Sequence, residues 1–244
     1  MKYAVVTGST QGIGKAVAKK LLGEGYFVIG NYAHNDAEAQ ACKAEMEAVQ
    51  GEEKDSFQVI KQELSNYENV LSFVEKIRQI TDKVDVVVLN VGVTDRSTFQ
   101  EITQEKWDYV INTNLSCPFF LIQKLDPMLQ KNGSIVFIGS AMGIYPHSIS
   151  IAYGATKSAV HFLTKQLVKE FAGRKINVNA VAPGFVDTPW QKNKPADQRA
   201  RIEEKTALKR FAEPEEVASL CMEAIHNRFI NGAVLEIHGG YCYK

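Results

Sequence analysis

Hydrophobic and polar positions alternate between two patterns along the chain. Short apolar runs rich in valine and isoleucine, such as Tyr3–Thr7, Val84–Leu89 and Ile135–Ile138, read as buried strands. Between them lie longer stretches in which apolar residues return every three or four positions, the spacing of one helix face. Ala16, Val17, Ala18, Leu21 and Leu22 form one such stripe, closed by Gly23 and Gly25. Strands are predicted near 3–7, 26–31, 57–61, 84–91, 134–139, 175–181 and 233–237. Helices are predicted near 13–23, 36–49, 67–81, 104–130, 152–173 and 214–227. Strands without strict alternation bury both faces, as central parallel strands do when helices cover both sides. The two element types alternate to the end of the chain, which predicts a single α/β domain over residues 1–244.

In such sheets ligands bind beyond the carboxyl ends of the strands. The first strand runs directly into Gly8-Ser9-Thr10-Gln11-Gly12-Ile13-Gly14 and then into the helical stripe. Strand, glycine turn and helix are the context of a dinucleotide-binding loop. Gly8 permits the tight turn, Gly12 lets backbone approach a pyrophosphate, and Gly14 lets the helix pack against the strand. The spacing is Gly-x-x-x-Gly-x-Gly. It is not a P-loop, because Gly14-Lys15 is followed by Ala16 and no hydroxyl is placed for magnesium. The fold class expected is a Rossmann-like doubly wound sheet of seven mainly parallel strands, with helices on both faces.

Composition narrows the partners. Formal net charge is zero and apolar content is 45%, so no basic excess points to nucleic acid or an anionic membrane surface. No apolar stretch approaches membrane-span length and no signal peptide is visible, which gives an expectation of a cytoplasmic protein. Cys42, Cys117, Cys221 and Cys242 are scattered and read as small buried thiols in a reducing compartment; no metal site is expected. Of the histidines only His34 is placed where ligand is expected, the others reading as surface or loop residues.

Tyr153 alone among the nine tyrosines has a lysine four residues on, Lys157. That step puts both side chains on one helix face. An ammonium near a phenol is expected to lower its pKa from about 10 and make it a proton donor and acceptor near neutral pH.

The Thr7-Gly8-x-x-x-Gly12-Ile13-Gly14 opening, with Tyr153-x-x-x-Lys157 downstream, resembles the short-chain dehydrogenases/reductases over essentially the whole chain, and within them the 3-oxoacyl-acyl-carrier-protein reductase group. The resemblance implies a catalytic set of Asn114, Ser140, Tyr153 and Lys157. Asn114 stands for a helix-kinking asparagine that holds a water in a proton relay, and Ser140 for a hydroxyl that orients a substrate carbonyl. It implies a cofactor site of Gly8, Ser9, Thr10, Gln11, Gly12, Ile13 and Gly14 for the phosphates, and Asn31, Tyr32, Ala33 and His34 for the adenine ribose. Glu63 and Leu64 would meet the adenine, and Asn90, Val91 and Gly92 its ribose. Tyr153, Lys157, Pro183, Gly184, Val186 and Thr188 would lie on the nicotinamide side. The family's usual Asn-Asn-Ala-Gly is Leu89-Asn90-Val91-Gly92 here, a departure at two of four positions.

No acid stands at Tyr32, where NAD-dependent relatives place one, so NADP(H) is favoured, with NAD(H) the alternative. The expected reaction is hydride transfer to a carbonyl, a 3-oxoacyl thioester first. Another ketone, a sugar or a steroid-like alcohol is the second reading, and a catalytically idle nucleotide sensor the third. Lys131 and Arg174 stand where relatives carry basic residues for an acyl-carrier protein. Residues 188–212 read as a polar, irregular substrate lid. Apolar faces at Phe119–Ile122 and at Phe162, Leu163 and Leu167 imply a homo-oligomer, a tetramer or a dimer.

Overall fold

A computed structural model describes residues 1–49, 55–146, 150–192 and 194–243. Seven strands form one parallel sheet: β1 (Lys2–Val6), β2 (Tyr26–Tyr32), β3 (Phe57–Lys61), β4 (Val84–Leu89), β5 (Leu129–Ile138), β6 (Asn177–Pro183) and β7 (Val234–Ile237). Their order is β3-β2-β1-β4-β5-β6-β7. The chain winds outward from β1 to β3, then returns to the other side of β1 with β4. The switch point is therefore the gap between β1 and β4, where ligand sites form in doubly wound sheets.

The helices are α1 (Gly12–Gly23), α2 (Asp36–Val49), α3 (Tyr67–Arg78), α4 (Gln104–Ile111), α5 (Cys117–Leu125), α6 (Ile151–Phe171), α7 (Ala196–Lys205) and α8 (Pro214–His226). Alternate strand residues feed two separate cores. Ala4, Val6, Val28, Val86, Val88 and Val181 pack with α1, α2 and α8 on one face. Val5, Ile29, Val87, Ile135, Phe137 and Val178 pack with α3, α5 and α6 on the other. Burial on both faces explains the unbroken apolar runs.

Three expectations are corrected. The helix expected over 104–130 is two helices joined by a π-helical turn, Asn112–Ser116, and it ends before Leu129, where β5 begins. β5 thus starts five residues early, its register against β4 shifting between Val84 and Val86. The 188–212 segment is not irregular, since it holds a short 3-10 turn at Pro189–Gln191 and all of α7. α7 escapes notice in sequence because none of its residues is buried, so no apolar stripe marks it.

The start of α1 is held at the switch point by close backbone packing. A Cβ on Gly14 would overlap the Gly8 carbonyl oxygen and come within 2.6 Å of Asn90 Nδ2. Gly23, in the last turn of the same helix, has nothing within 4 Å of such a Cβ. Gly14→Ala is therefore expected to cost about 2–3 kcal/mol, or to prevent folding, by forced overpacking. Gly23→Ala should be neutral or stabilising by up to about 1 kcal/mol. Urea denaturation of the two variants beside the parent checks the contrast.

Candidate functional site

A cavity of about 710 Å³ opens along the carboxyl ends of the strands, from β2 and β3 across the switch point to the segment after β6. Its middle is framed by the glycine loop. Gly8 has φ +64° and Gly12 φ +54°, left-handed conformations that favour glycine. Asn90 crosses from β4 to brace the loop: its Nδ2 donates to the carbonyls of Thr7 (3.0 Å) and Gly8 (3.1 Å). Thr7 Oγ1 in turn accepts from the backbone N–H groups of Asn90 (2.8 Å) and Val91 (3.1 Å). These bonds aim the first turn of α1, with its N–H groups free of helix partners, into the cavity. That is an anion-binding arrangement.

Most residues expected at a cofactor line this cavity: Gly8, Thr10, Gln11, Gly12, Ile13, Asn31, Tyr32, Ala33, His34, Glu63, Leu64, Asn90, Val91, Gly92, Pro183, Gly184, Val186 and Thr188. Ser9 and Gly14 do not. The Ser9 side chain is fully buried against Gly30, and its N–H donates to the Asn31 carbonyl at 3.1 Å. Asn31 spends its amide on the chain, accepting from Gly8 N (2.9 Å) and donating to the Gln62 carbonyl (2.7 Å). It holds β2, β3 and the glycine loop together. The Tyr32 hydroxyl donates to Asp36 at 2.9 Å, and Lys61 pairs with the same carboxylate at 2.7 Å. Lys61 and Tyr32 together hold the Asp36 carboxyl below its ordinary value.

Ser140, Tyr153 and Lys157 meet on the cavity wall farther along. Ser140 follows β5, and Tyr153 and Lys157 stand one turn apart on α6. Ser140 shares the wall with the Tyr153 phenol, and its Oγ accepts from Met142 N at 3.1 Å. Burial pushes the phenol above its ordinary value, while the Ser140 hydroxyl opposes that rise. This corrects the expectation of a phenol lowered by Lys157. The lysine Nζ, 5.5 Å from the ring centroid, instead donates to the Ile138 carbonyl at 2.6 Å. Lys157 is itself buried, and desolvation brings its ammonium down to about 8.

Asn114 lies behind the wall, in the π-helical turn. Its Oδ1 accepts from Val93 N (2.8 Å), and its Nδ2 donates to the Val93 carbonyl (2.9 Å) and Thr156 Oγ1 (3.2 Å). It therefore ties the turn to the strand-end loop and to α6.

His161 was expected at the surface but is buried directly behind Ser140, one turn beyond Lys157. Its Nε2 faces Ser140 N at 3.4 Å, and Gly139 and Gly143 leave room for the ring; a Cβ on Gly143 would sit 2.9 Å from its Cε1. Burial, then the charges of Lys157 and Lys165, bring it down to about 4, so it is neutral at pH 7 and accepts this bond. The i, i+4, i+8 spacing of Tyr153, Lys157 and His161 was the available signal. His238 is likewise no surface residue, its side chain being 7% exposed.

Cys42, Cys117 and Cys221 are buried thiols whose pKa values burial raises to about 11, 11 and 12. Among the described residues no helix is long and apolar enough to cross a membrane.

A glycine loop under a helix N-terminus, joined by one cavity to a Ser–Tyr–Lys cluster, defines a dinucleotide-dependent oxidoreductase. Residues 2–199 match the short chain dehydrogenase family model, and the chain belongs to that family. It is 35% identical to the 3-oxoacyl-[acyl-carrier-protein] reductase of Thermotoga maritima, over 98% of this chain and 97% of that one. It is 33% identical to the acetoacetyl-CoA reductase of an Acinetobacter species, again over 98% and 97%. Among solved structures, a Burkholderia cenocepacia short chain dehydrogenase in complex with NADP is 28% identical, with a TM-score of 0.89 over 98% of this chain and 97% of that one. The protein is thus an NAD(P)-dependent oxidoreductase with a Rossmann-like sheet.

Lys157 carries a cost that is readable without turnover. Its folded pKa of about 8 lies below the ordinary 10.5, so the unfolded chain binds more protons between those values. Stability contributed at this site therefore rises as pH climbs from 8 towards 10.5, by about 3 kcal/mol in all. Lys157→Met removes the titrating group. Relative to the parent, the variant should be more stable at pH 7 than at pH 10.5 by a margin of that order. Urea denaturation at the two pH values measures it.

Proposed function

We propose that the protein is an NADP(H)-dependent reductase of a ketone, a 3-oxoacyl thioester first, acting through Ser140, Tyr153 and Lys157 with Asn114 behind them. The observation that carries this reading is the convergence of Ser140, Tyr153 and Lys157 on the wall of the cavity into which the glycine loop opens. When bound, the cofactor would supply the hydride. The loop residues Gly8 and Thr10–Ile13 fit a pyrophosphate, because left-handed Gly8 and Gly12 turn the loop so that the α1 N–H groups face the cavity. Pro183, Gly184, Val186 and Thr188 would take the nicotinamide side, and Tyr32–His34 the adenine ribose.

Ser140 orients the carbonyl oxygen, and the Tyr153 phenol gives that oxygen its proton. In the reverse direction the same phenol, deprotonated, would take the proton back. Lys157 fixes the end of β5 through Ile138 and is placed to hold the cofactor ribose. Asn114, by its bonds to Val93 and Thr156, keeps the wall in register. The 188–212 segment would close over substrate as a lid of a single 1–244 domain; Trp190 already stands 5.9 Å from the Tyr153 ring, while Asn193 lies outside the described residues.

The family relatives named as acting on an acyl-carrier-protein thioester and on acetoacetyl-CoA support the thioester reading. Docking of a carrier protein at Lys131 and Arg174 has less support. Arg174 is committed to Asp126, through its carboxylate and its carbonyl, and only Lys131 offers an open charge. A homotetramer, with a dimer as the alternative, is proposed from the outer face of α6, where Phe162 is 63% exposed.

Two outcomes test the function. Tyr153→Phe should lower NADPH-dependent reduction of acetoacetyl-N-acetylcysteamine at least about 100-fold while leaving NADPH affinity, read by fluorescence titration, essentially unchanged. Retained activity would sink the assignment. Asp36 ties up Lys61 and faces Tyr32 with a negative charge. Asp36→Asn should therefore raise the ratio of kcat/KM for NADPH over NADH by about fivefold at low salt, an effect that shrinks as salt is added. An unchanged ratio would place the 2′-phosphate elsewhere.

A further inference from the structure

The two ends of the cavity differ in charge. Its acidic wall residues, Glu38 and Glu63, both stand beside the ends of β2 and β3. The opposite end, beneath the segment that follows β6, is lined by Arg96, Lys194 and Arg201 with Gln198 and Trp190, and by no carboxylate. Several cations elsewhere on this segment are matched. Arg199 pairs with Asp187, Arg201 with Asp197, Lys209 with Glu204 and Arg210 with Glu216. Among the described residues Arg96 and Lys194 have no such partner. Lys194 lies with its Nζ 5.9 Å from the centroid of Phe185, another wall residue, and is only half-exposed. Burial first, then the charges of Arg96 and Arg199, hold its ammonium below the ordinary value. Asp95, beside Arg96 in sequence, accepts from Ser97 at 2.9 Å and is not part of the wall.

We propose that Arg96 and Lys194 form an anion subsite, so that the substrate carries a phosphate or carboxylate group on the side remote from its reacting carbonyl. The subsite rests on the reductase reading for the word substrate. Its charge arrangement is independent of any turnover. Two cations of different chain segments that line one cavity, Lys194 half-buried and Arg96 exposed, are matched when an anion lies between them. Trp190 over Tyr153 and Lys194 over Phe185 set the subsite on the same strap that covers the reacting end. A phosphate would come from the pantetheine arm of a carrier or coenzyme, and a carboxylate from a free keto acid.

Calorimetric titration of the NADP-loaded protein with pantetheine, 4′-phosphopantetheine and glutarate separates these sources. An anion subsite predicts that 4′-phosphopantetheine or glutarate binds at least tenfold more tightly than neutral pantetheine. The advantage should fall with added salt, and it should vanish in the Arg96→Gln/Lys194→Gln protein. Lys194→Arg should retain it, which distinguishes lost charge from a misfolded strap. Preference for the phosphate points to a carrier arm, and preference for glutarate to a keto acid. Equal binding of all three probes, or an advantage that survives the double substitution, overturns the proposal. Because no step of chemistry is read, failure of thioester reduction would leave this result standing.

Discussion

The close approach of α1 to the end of β1 is the constraint on which the rest depends. Gly14 has no space for a side chain because the Gly8 carbonyl and the Asn90 amide occupy it. That contact sets where the helix begins, and so where its free N–H groups point. The same Asn90 amide bonds the Thr7 and Gly8 carbonyls, so β4 is locked to β1 at the topological switch. Asn31 completes the bracket from β2 and reaches the chain after β3 through Gln62. Strands β1 to β4 are therefore tied together by side-chain amides at one end, and the cavity opens over those ties.

A second constraint shapes the reacting end. Tyr153, Lys157 and His161 occupy one face of α6; the first is half-buried and the other two are buried, although each is polar. Such groups are costly to bury without partners. Here the phenol has Ser140, the ammonium has the Ile138 carbonyl, and the imidazole has the Ser140 amide. All three partners lie at or just after the end of β5. Helix and strand end are thus joined by polar bonds where the neighbouring positions are apolar. The neutral imidazole also matters for the lysine, since a charged ring one turn away would oppose its ammonium.

Much of the architecture was legible in sequence because burial on both sheet faces writes long apolar runs, and because glycines with forced conformations punctuate them. The strand sites at 3–7, 57–61 and 84–89 and the helices at 36–49 and 214–226 follow from those signals. What was not legible has physical causes. The π-helical turn at Asn112–Ser116 preserves helical spacing on both sides, and its one mark in the sequence is the helix-kinking Asn114. α7 has no buried residue. Ser9 is a polar residue of the glycine loop and Asn31 a polar residue near the end of β2, so their turn into the protein depends on Gly30 for the one and Gln62 for the other, each far off in sequence. The phenol of Tyr153 was misjudged because helical spacing reports that two groups share a face, not where a flexible lysine sends its charge.

The same distinction between spacing and charge applies to the whole cavity. Its cofactor end takes orientation from backbone: left-handed glycines, helix N–H groups and bracketed amides leave little side-chain charge to discriminate between nucleotides. Tyr32 and Lys61 meet at Asp36 in a balanced surface cluster. Its far end has side chains on a strap whose fold carries no buried apolar stripe, with Arg96 facing it from the loop after β4. Backbone geometry is insensitive to most substitutions, whereas a strap of exposed polar residues tolerates many. In the proposed reductase, one sheet would keep the hydride chemistry constant while the segment least constrained by packing would set selectivity for the substrate.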